Sequence, residues 1–330
     1  MKCTSLVDWL AFTKKCNGFM AEGEWRSSSF GDVRHIIRDI LKLPEDLFQP
    51  MERGGRHGYR KGVAYNGIEI YYDGSGDMGA NVSMSGNACL VYAQHQDMVG
   101  LLQRVYKGYL VKEVNPTRID IACDDRAGLL DLNRIEREIR DGNLRTNIRR
   151  KRMIIDLDKR DHEEGDTIYI GSEKSEQRFR IYDKAKQQGD YKGVWNRLEL
   201  VSRREHAAAV LEALVTSDMD FGATVAGIVA DKLAFIEPGD RNISRCRLQG
   251  WWAEFLELVK RIQLMFKEKP KMTVERLAAF LGQDMAACVW TCVEVYGEGF
   301  FKILLENGLK KSRKRHRQMI EDYRLGTAWA

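Results

Sequence analysis

The sequence predicts an α+β protein with an antiparallel-rich central β-sheet and flanking helices, followed by a mostly helical C-terminal part. Polar and apolar residues alternate strictly from Arg118 to Asp124, as in a strand with one face in the core. Asn66-Gly67 joins two strand-like runs and is the pair most typical of a hairpin turn. Apolar residues recur at helical spacing over Gly250 to Phe266 and Met285 to Tyr296. We expect a boundary at the turn around Pro238, which gives domains 1–238 and 239–330.

The expected first domain alternates between strand-like and helix-like segments. Helical spacing is present around Ser29 to Leu41, Leu132 to Ile139 and Ala207 to Leu214. The other strands are predicted in chain order at Val63 to Tyr72 (the hairpin), Val82 to Met84, Met153 to Leu157, Thr167 to Ile170, Arg178 to Lys184 and Val194 to Ser202.

Length and composition narrow the class of protein. The chain has 330 residues, 44% hydrophobic and 31% charged, with five prolines, which favours a globular protein over disordered or collagen-like ones. No stretch reaches the ~18 apolar residues of a membrane span. Asp8 interrupts the first apolar run and no small-residue cleavage site follows, so we expect no signal peptide and a cytoplasmic location. Seven scattered cysteines indicate reduced thiols.

The charge distribution is more informative than the net charge of +5. Two basic runs favour a nucleic-acid partner, although either run alone could be a solvated helix face. They consist of Arg145, Arg149, Arg150, Lys151 and Arg152, and of Lys310, Lys311, Arg313, Lys314, Arg315 and Arg317.

Two apparent motifs do not predict a ligand site. Gly74 to Gly79 matches the dinucleotide fingerprint, but a strand-like segment follows it where the fingerprint requires a helix, so a glycine-rich turn is favoured. Cys288 and Cys292 share a helix face without a second ligand pair, and the six histidines are dispersed, so neither predicts a metal centre.

Three predicted strands each place charge on a single side. The shared faces carry Arg118, Asp120, Ala122 and Asp124; Arg180, Tyr182 and Lys184; and Trp195, Arg197 and Glu199. If these strands are neighbours, carboxylates that suit Mg²⁺ or Mn²⁺ meet a phenol, which together can attack a phosphodiester. The alternative is a set of solvated faces with cross-strand salt bridges and a packing tyrosine.

At these residues the chain resembles the replication initiation factor (Rep-trans) family, which includes rolling-circle initiators of plasmids and some phages and relaxases of certain conjugative elements. The similarity covers roughly Val63 to Ser217. It rests on four ordered motifs: Arg118 to Asp124, Thr167 to Ser172, Arg180 to Lys184 and Trp195 to Leu200. Met78 to Gly86 resembles the family's upstream strand motif.

The resemblance implies an enzyme that nicks and rejoins one DNA strand at an origin through a 5′-phosphotyrosine. It implies Tyr182 as the nucleophile, and Asp120 and Glu199, with Asp124 less directly, as ligands of Mg²⁺ or Mn²⁺. Because a phenol has a reference pKa of ~10, Arg180, Lys184 or the metal must favour the phenolate. The expected partners are single-stranded or hairpin origin DNA, a second copy of the chain and a host helicase, with no membrane.

Basic side chains are expected to hold the DNA through its phosphates. The candidates are Arg118, Arg197, Arg149, Arg150, Lys151, Arg152, Lys310, Lys311, Arg313 and Arg315.

Two other functions stay open from the sequence. One is a DNA-binding regulator of a mobile element that does not cut, against which the joint presence of Tyr182, Asp120 and Glu199 argues. The other is a metal-dependent nuclease that uses water, with Tyr182 as a packing residue. Trp195, Tyr169 and Tyr191 are either base-stacking or core aromatics.

Overall fold

A computed structural model describes residues 3–312 and residue 320, apart from residues 22, 53, 158–162, 241, 261–273, 275–277, 279–280 and 283–284. The chain divides into two compact units, Met1–Phe266 and Lys267–Ala330. The first unit contains a large antiparallel sheet with helices, and the described elements of the second are helical. The predicted α+β class with a helical C-terminal part is therefore confirmed.

Fourteen strands and ten α-helices lie in the described part of the chain. The strands are β1 Cys3–Lys14, β2 Phe19–Ala21, β3 Glu24–Arg26, β4 Gln49–Pro50, β5 Lys61–Tyr65, β6 Ile68–Tyr72, β7 Ala80–Met84, β8 Val114–Asp125, β9 Leu144–Arg145, β10 Lys151–Leu157, β11 Glu163–Ile170, β12 Gln177–Asp183, β13 Asn196–Arg203 and β14 Ala234–Phe235. The helices are α1 Phe30–His35, α2 Gly86–His95, α3 Met98–Leu110, α4 Leu132–Arg140, α5 Lys184–Gln187, α6 Glu205–Thr216, α7 Phe221–Lys232, α8 Gly250–Lys260, α9 Ala286–Tyr296 and α10 Gly299–Lys311. A π-helical turn, Ile36–Leu41, and two 3₁₀ turns, Glu45–Leu47 and Ile243–Arg245, complete the set.

The main sheet has ten strands in the order β10-β11-β12-β13-β8-β1-β7-β6-β5-β4, all paired antiparallel. One face forms the core of the first unit, where alternate strand residues such as Ile121, Ile181 and Leu200 pack among apolar helix residues. The other face carries polar and charged side chains of the same strands. We call it the open face.

Two short sequence signals are confirmed by the backbone. Asn66 (φ 47°) and Gly67 (φ 80°) join β5 to β6, both in the left-handed region that a tight hairpin turn requires. Gly74 to Gly79 is a loop that leads into strand β7 rather than a helix, as predicted.

The boundary expected after residue 238 lies inside the first unit. The reason is helix α8, whose Trp252 and Phe255 are buried in the common core, where Trp252 packs against both Phe235 and Phe255. Helix α7 had no counterpart among the predicted elements. Among the described residues, no helix combines the length and apolar character needed to cross a membrane.

The cysteines provide a chemical test of the core. All seven are free, with Cys89 and Cys123 buried and Cys288 exposed. Burial raises the pKa of the Cys89 and Cys123 thiols above their ordinary value, and the thiolate is the reactive form. We expect iodoacetamide to modify Cys288 in the native protein and to reach Cys89 and Cys123 only after unfolding, as followed by peptide mass spectrometry. Equal native labelling of Cys123 and Cys288 would contradict this packing.

Candidate active site

The three charged strands are neighbours, in the order β12-β13-β8 at the centre of the sheet. Their register places Tyr182 opposite Arg197 and Arg180 opposite Glu199. Across the next pair, Arg197 lies opposite Asp124. These side chains therefore share the open face, because residues two apart on a strand point to the same side.

Tyr182 is a buried phenol held by a carboxylate and flanked by two cations. Tyr182 is only 4% exposed, and its hydroxyl donates to Glu199 Oε1 at 2.5 Å. The Arg180 guanidinium and the Lys184 ammonium lie 5.1 and 5.7 Å from its ring centroid. Burial, followed by the charge of Glu199, raises the pKa of Tyr182. The phenol therefore stays protonated until a base accepts its proton.

Glu199 is the acceptor already in contact with that proton. Its residue is 1% exposed, and burial, followed by the charge of Asp8, raises its pKa. Oε2 is 3.1 Å from Arg180 Nη1, but outside hydrogen-bond geometry, so this buried oxygen has no hydrogen bond to a described residue. One oxygen of Glu199 thus accepts from Tyr182, while the other is ion-paired with Arg180 and accepts no hydrogen bond from the described residues.

Arg197 links two carboxylates beneath the tyrosine. Its Nε and Nη2 donate to the two oxygens of Asp124 at 2.5 and 2.9 Å, and its Nη1 donates to Asp8 Oδ1 at 2.6 Å. Burial alone would lower the pKa of Arg197, but the hydrogen bonds and charge of Asp124 raise it instead. Arg197 is therefore a permanent structural cation of the site.

Asp120 forms a separate pair on the same face. Arg118 Nε donates to its Oδ1 at 2.9 Å and Nη2 to its Oδ2 at 2.5 Å. Asp120 is opposite Val201, two residues from Glu199, so the two carboxylates are diagonal neighbours rather than a direct pair. Burial raises the pKa of Asp120 despite Arg118, and the nearby charge of Asp8 contributes to the increase.

A β-bulge brings in a residue that the sequence interpretation missed. In the pairing of β1 with β8, Val7 is opposite Ile121 and Trp9 is opposite Asp120, so Asp8 is the extra residue. The bulge lets both Asp8 and Trp9 face the open side, and bulges often redirect side chains beside active sites. The burial pattern records the bulge, since the buried positions shift from Val7 to Leu10 by three residues instead of two. The sequence shows no such shift, because Leu6, Val7 and Trp9 to Phe12 are all apolar.

A divalent cation such as Mg²⁺ requires several oxygen ligands around one point. Among the residues that the structure describes, no three His, Cys, Asp or Glu side chains are arranged to hold a metal ion. Asp120 and Asp124 each place both oxygens against an arginine. However, Glu199 Oε2 accepts no hydrogen bond from the described part of the chain, and the charge of Asp8 raises the pKa of both Glu199 and Asp120. A bound cation would stabilise carboxylates in this environment. The residues therefore fit an oxygen-binding metal in kind.

The candidate DNA-binding residues are dispersed. Arg118 lies on the open face, whereas the Arg197 guanidinium is occupied by Asp8 and Asp124. Arg149, Arg150, Lys151 and Arg152 form an exposed run that enters edge strand β10. Lys310 and Lys311 are exposed at the end of α10 in the second unit. Arg313 and Arg315 lie outside the described residues.

The candidate stacking aromatics differ in accessibility. The Trp195 ring is flanked by the guanidinium of Arg126 at 4.1 Å, and Tyr169 lies beside two arginines. Tyr191 is 64% exposed. The sequence predicted Lys184 and Trp195 in strands, and both predictions are wrong. Helix α5 begins at Lys184, and β13 begins one residue after Trp195.

Arg197 gives a stability prediction. Arg197→Ala leaves Asp124 and Asp8 without their shared counter-charge, and removing one partner of a buried ion pair costs ~3 to 5 kcal/mol. We expect urea denaturation to show a loss of this size. The matched control is Arg140→Ala, which breaks an exposed pair with Glu136 on α4 and should cost at most ~0.5 kcal/mol. Equal losses in the two variants would contradict the role of Arg197.

Sequence comparison defines the class of protein to which this sheet and site belong. The profile described as replication initiation factor matches residues 114–307, and a profile described as rolling circle replication initiation protein N-terminal domain matches residues 29–100. The chain therefore belongs to the replication initiation factor family, as its motifs predicted.

Two individual proteins are similar to it. A protein of Bacillus subtilis (strain 168) described as "Putative DNA relaxase NicK" is 26% identical over 251 residues, which cover 72% of this chain and 70% of the relative. The solved structure of a rolling circle replication initiator protein from Geobacillus stearothermophilus is 30% identical with a TM-score of 0.67, covering 79% of this chain and 98% of that one.

Proposed function

We propose that the chain nicks and rejoins one DNA strand at an origin through a 5′-phosphotyrosine on Tyr182. The observation that carries the proposal is the 2.5 Å hydrogen bond from Tyr182 to Glu199 on the open face, with Arg180 and Lys184 beside the ring. The family supports it, as do the two relatives, one described as a "Putative DNA relaxase" and the other as a rolling circle replication initiator protein.

Tyr182 and Glu199, which are already in contact, supply the nucleophile and the base of the cleavage step. Tyr182 Oη attacks the scissile phosphorus while Glu199 Oε1 accepts the phenolic proton, as a general base placed within hydrogen-bond reach. The bond from phosphorus to the 3′ oxygen breaks, and that oxygen takes a proton from solvent to become a 3′-hydroxyl. Since the phosphotyrosyl ester replaces one phosphodiester by another, the reverse reaction rejoins the strand without ATP.

Two cations are positioned to stabilise charge on the phosphate. Arg180 and Lys184 lie beside the tyrosine ring, and their side chains can neutralise the non-bridging oxygens as the pentacoordinate transition state forms. Arg197 acts indirectly, by holding Asp124 and Asp8 in place below the reacting groups.

Mg²⁺ or Mn²⁺ is the proposed cofactor. Glu199 and Asp120, with Asp124 as the further candidate, would hold it as the family resemblance implies, and Asp8 is the additional carboxylate contributed by the bulge. Such a cation supplies Lewis-acid withdrawal of charge from a phosphate oxygen. The residues themselves bind, orient and accept the proton.

We propose single-stranded or hairpin origin DNA as the substrate, because a tyrosine on a sheet face is poorly placed to reach a phosphate in an undistorted duplex. A second copy of the chain and a host helicase are further proposed partners. The exposed basic residues Arg149 to Arg152, and Lys310 with Lys311, are proposed to contact phosphates outside the reacting centre.

The test is covalent trapping. The purified chain is incubated with Mg²⁺ or Mn²⁺ and supercoiled DNA that carries the origin of its own genetic element, and the products are denatured before analysis. We expect nicked DNA with the protein still attached, a peptide adduct at Tyr182 by mass spectrometry, and no nicking with EDTA. Binding without cleavage would instead support a regulator, and cleavage without an adduct would support a nuclease that uses water.

A further inference from the structure

A cavity lies on the open face beside the tyrosine site. It has a volume of about 520 Å³, within the ~300 to 1,000 Å³ typical of small-ligand pockets. Strands β1, β6, β7 and β8 line it through residues such as Trp9, Tyr71, Ser83 and Arg118. No residue of this cavity other than Arg118 was a candidate from the sequence.

The floor of the cavity is aromatic and has polar groups. Trp9 and Tyr71 contribute rings, and Asn81 and Ser83 add an amide and a hydroxyl on the same face. The Ser83 hydroxyl makes no hydrogen bond to any described residue. Arg118 covers one face of the Trp9 ring at 4.0 Å, Tyr71 is 2% exposed, and the Asn81 amide nitrogen donates to Phe12 and Thr13. The other face of Trp9, the Ser83 hydroxyl and the Asn81 carbonyl oxygen are the groups that can recognise a nucleobase.

The cavity wall is cationic. Among the described residues that line it, three are arginines, and one, Glu69, has a carboxylate that already accepts from the Tyr71 hydroxyl at 2.7 Å. Arg118 is directly opposite Arg203 in the pairing of β8 with β13. Arg118 donates to both oxygens of Asp120, whereas Arg203 donates to the backbone carbonyls of Glu173 and Ser175. Like charges directly opposite on a sheet are unfavourable, so Arg203 is the arginine of this pair that is suited to an added anion.

Two further observations agree with an anion at Arg203. Burial, followed by the charges of Arg118 and Arg178, lowers the pKa of Arg203. On the same face Arg118, Arg180 and Arg197 are each ion-paired with a carboxylate, whereas Arg203 forms no ion pair with a described carboxylate.

The cavity is within reach of the reacting group. Arg118 is four residues along β8 from Ala122, which is opposite Glu199, so the two positions are ~13 Å apart at the rise of a β-strand. This distance is short enough for two nearby nucleotides of one extended strand, though not adjacent ones, to occupy both positions.

We propose that this cavity binds one unpaired nucleotide of the strand that Tyr182 attacks, with its base beside Trp9 and Asn81 and its phosphate at Arg203. The inference rests on the proposed function, because it places the nucleotide on the strand that is cut.

The test uses the full chain and two fluorescein-labelled probes of about 20 nucleotides, one an oligothymidylate and the other the same backbone with every base replaced by an abasic spacer. Fluorescence anisotropy gives the Kd of each. We expect Trp9→Leu to weaken oligothymidylate binding about 10-fold and to leave the abasic probe unchanged. Asn81→Ala should produce the same selective loss, and it replaces Trp9→Leu if that variant does not fold.

The phosphate contact is tested by the salt dependence of binding. Arg203→Gln should weaken both probes alike and reduce the slope of log Kd against log salt by about one. Arg137→Gln removes an exposed arginine from α4, which packs on the opposite face of the sheet, and should change neither probe.

Equal effects of Trp9→Leu and Asn81→Ala on both probes, or none, would overturn the base contact, and an unchanged salt slope in Arg203→Gln would overturn the phosphate contact. The Tyr182 adduct is measured in the same variants. An adduct in the wild type without selective probe effects rejects the cavity and leaves the proposed function standing. Selective effects without an adduct reject strand transfer and leave nucleotide binding standing.

Discussion

Tyr182→Phe is expected to abolish the covalent protein–DNA adduct and origin nicking while DNA binding is retained. The substitution removes only the hydroxyl that donates to Glu199, and the ring stays between Arg180 and Lys184. Loss of the nucleophile in an enzyme with a covalent intermediate costs several orders of magnitude in rate, at least ~10³-fold here. Denaturing gels with labelled DNA measure the adduct, and anisotropy measures binding.

The chain contains a matched control for this substitution. The Tyr106 hydroxyl donates to Glu212 at 3.0 Å, the same kind of phenol–carboxylate pair, between α3 and α6. Tyr106→Phe should form the adduct at the wild-type rate. Adduct formation by Tyr182→Phe, or equal loss in both variants, would contradict Tyr182 as the nucleophile.

Glu199→Gln is expected to lower the nicking rate by ~10² to 10⁴-fold, the range associated with general acid–base catalysis. The amide keeps the size of the side chain but cannot accept the phenolic proton, and Tyr182 retains a raised pKa through its burial. The rate is measured at saturating Mg²⁺ or Mn²⁺, so that weakened cation binding does not account for the loss.

Glu212→Gln provides the corresponding control, because it alters the exposed carboxylate of the Tyr106 pair. It should nick at the wild-type rate. A wild-type rate in Glu199→Gln at saturating cation would remove Glu199 from proton transfer, and a normal rate reached only at much higher cation concentration would restrict its role to metal binding.

The shared face of the site could be predicted because alternation along a strand is a local property. The polar positions of Arg118 to Asp124 recur every second residue, and the backbone itself requires them to point the same way. The same reasoning holds for Arg180 with Tyr182 and for Arg197 with Glu199. The hairpin at Asn66-Gly67 was equally local, since two residues determine its turn.

Strand order and register could not be predicted, since they depend on pairing between segments distant in sequence. Asp124 and Arg197 are 73 residues apart, yet they form two hydrogen bonds. The two-residue period also fails where the backbone departs from it, which is why Asp8 was missed. The expected boundary after residue 238 reflected a local turn, whereas the burial of Trp252 depends on packing across the first unit.

The β-bulge at Asp8 in β1 affects how the tyrosine site is aligned with the neighbouring cavity. Because Asp8 and Trp9 are adjacent in the chain, one supports the chemistry through Arg197 and the other lines the neighbouring cavity. If Tyr182 cuts the strand and the cavity binds a nucleotide as proposed, the interval between the two is set by rigid sheet geometry rather than by a movable loop. A deletion of a single residue at this point would turn one of the two side chains into the apolar interior and break the alignment.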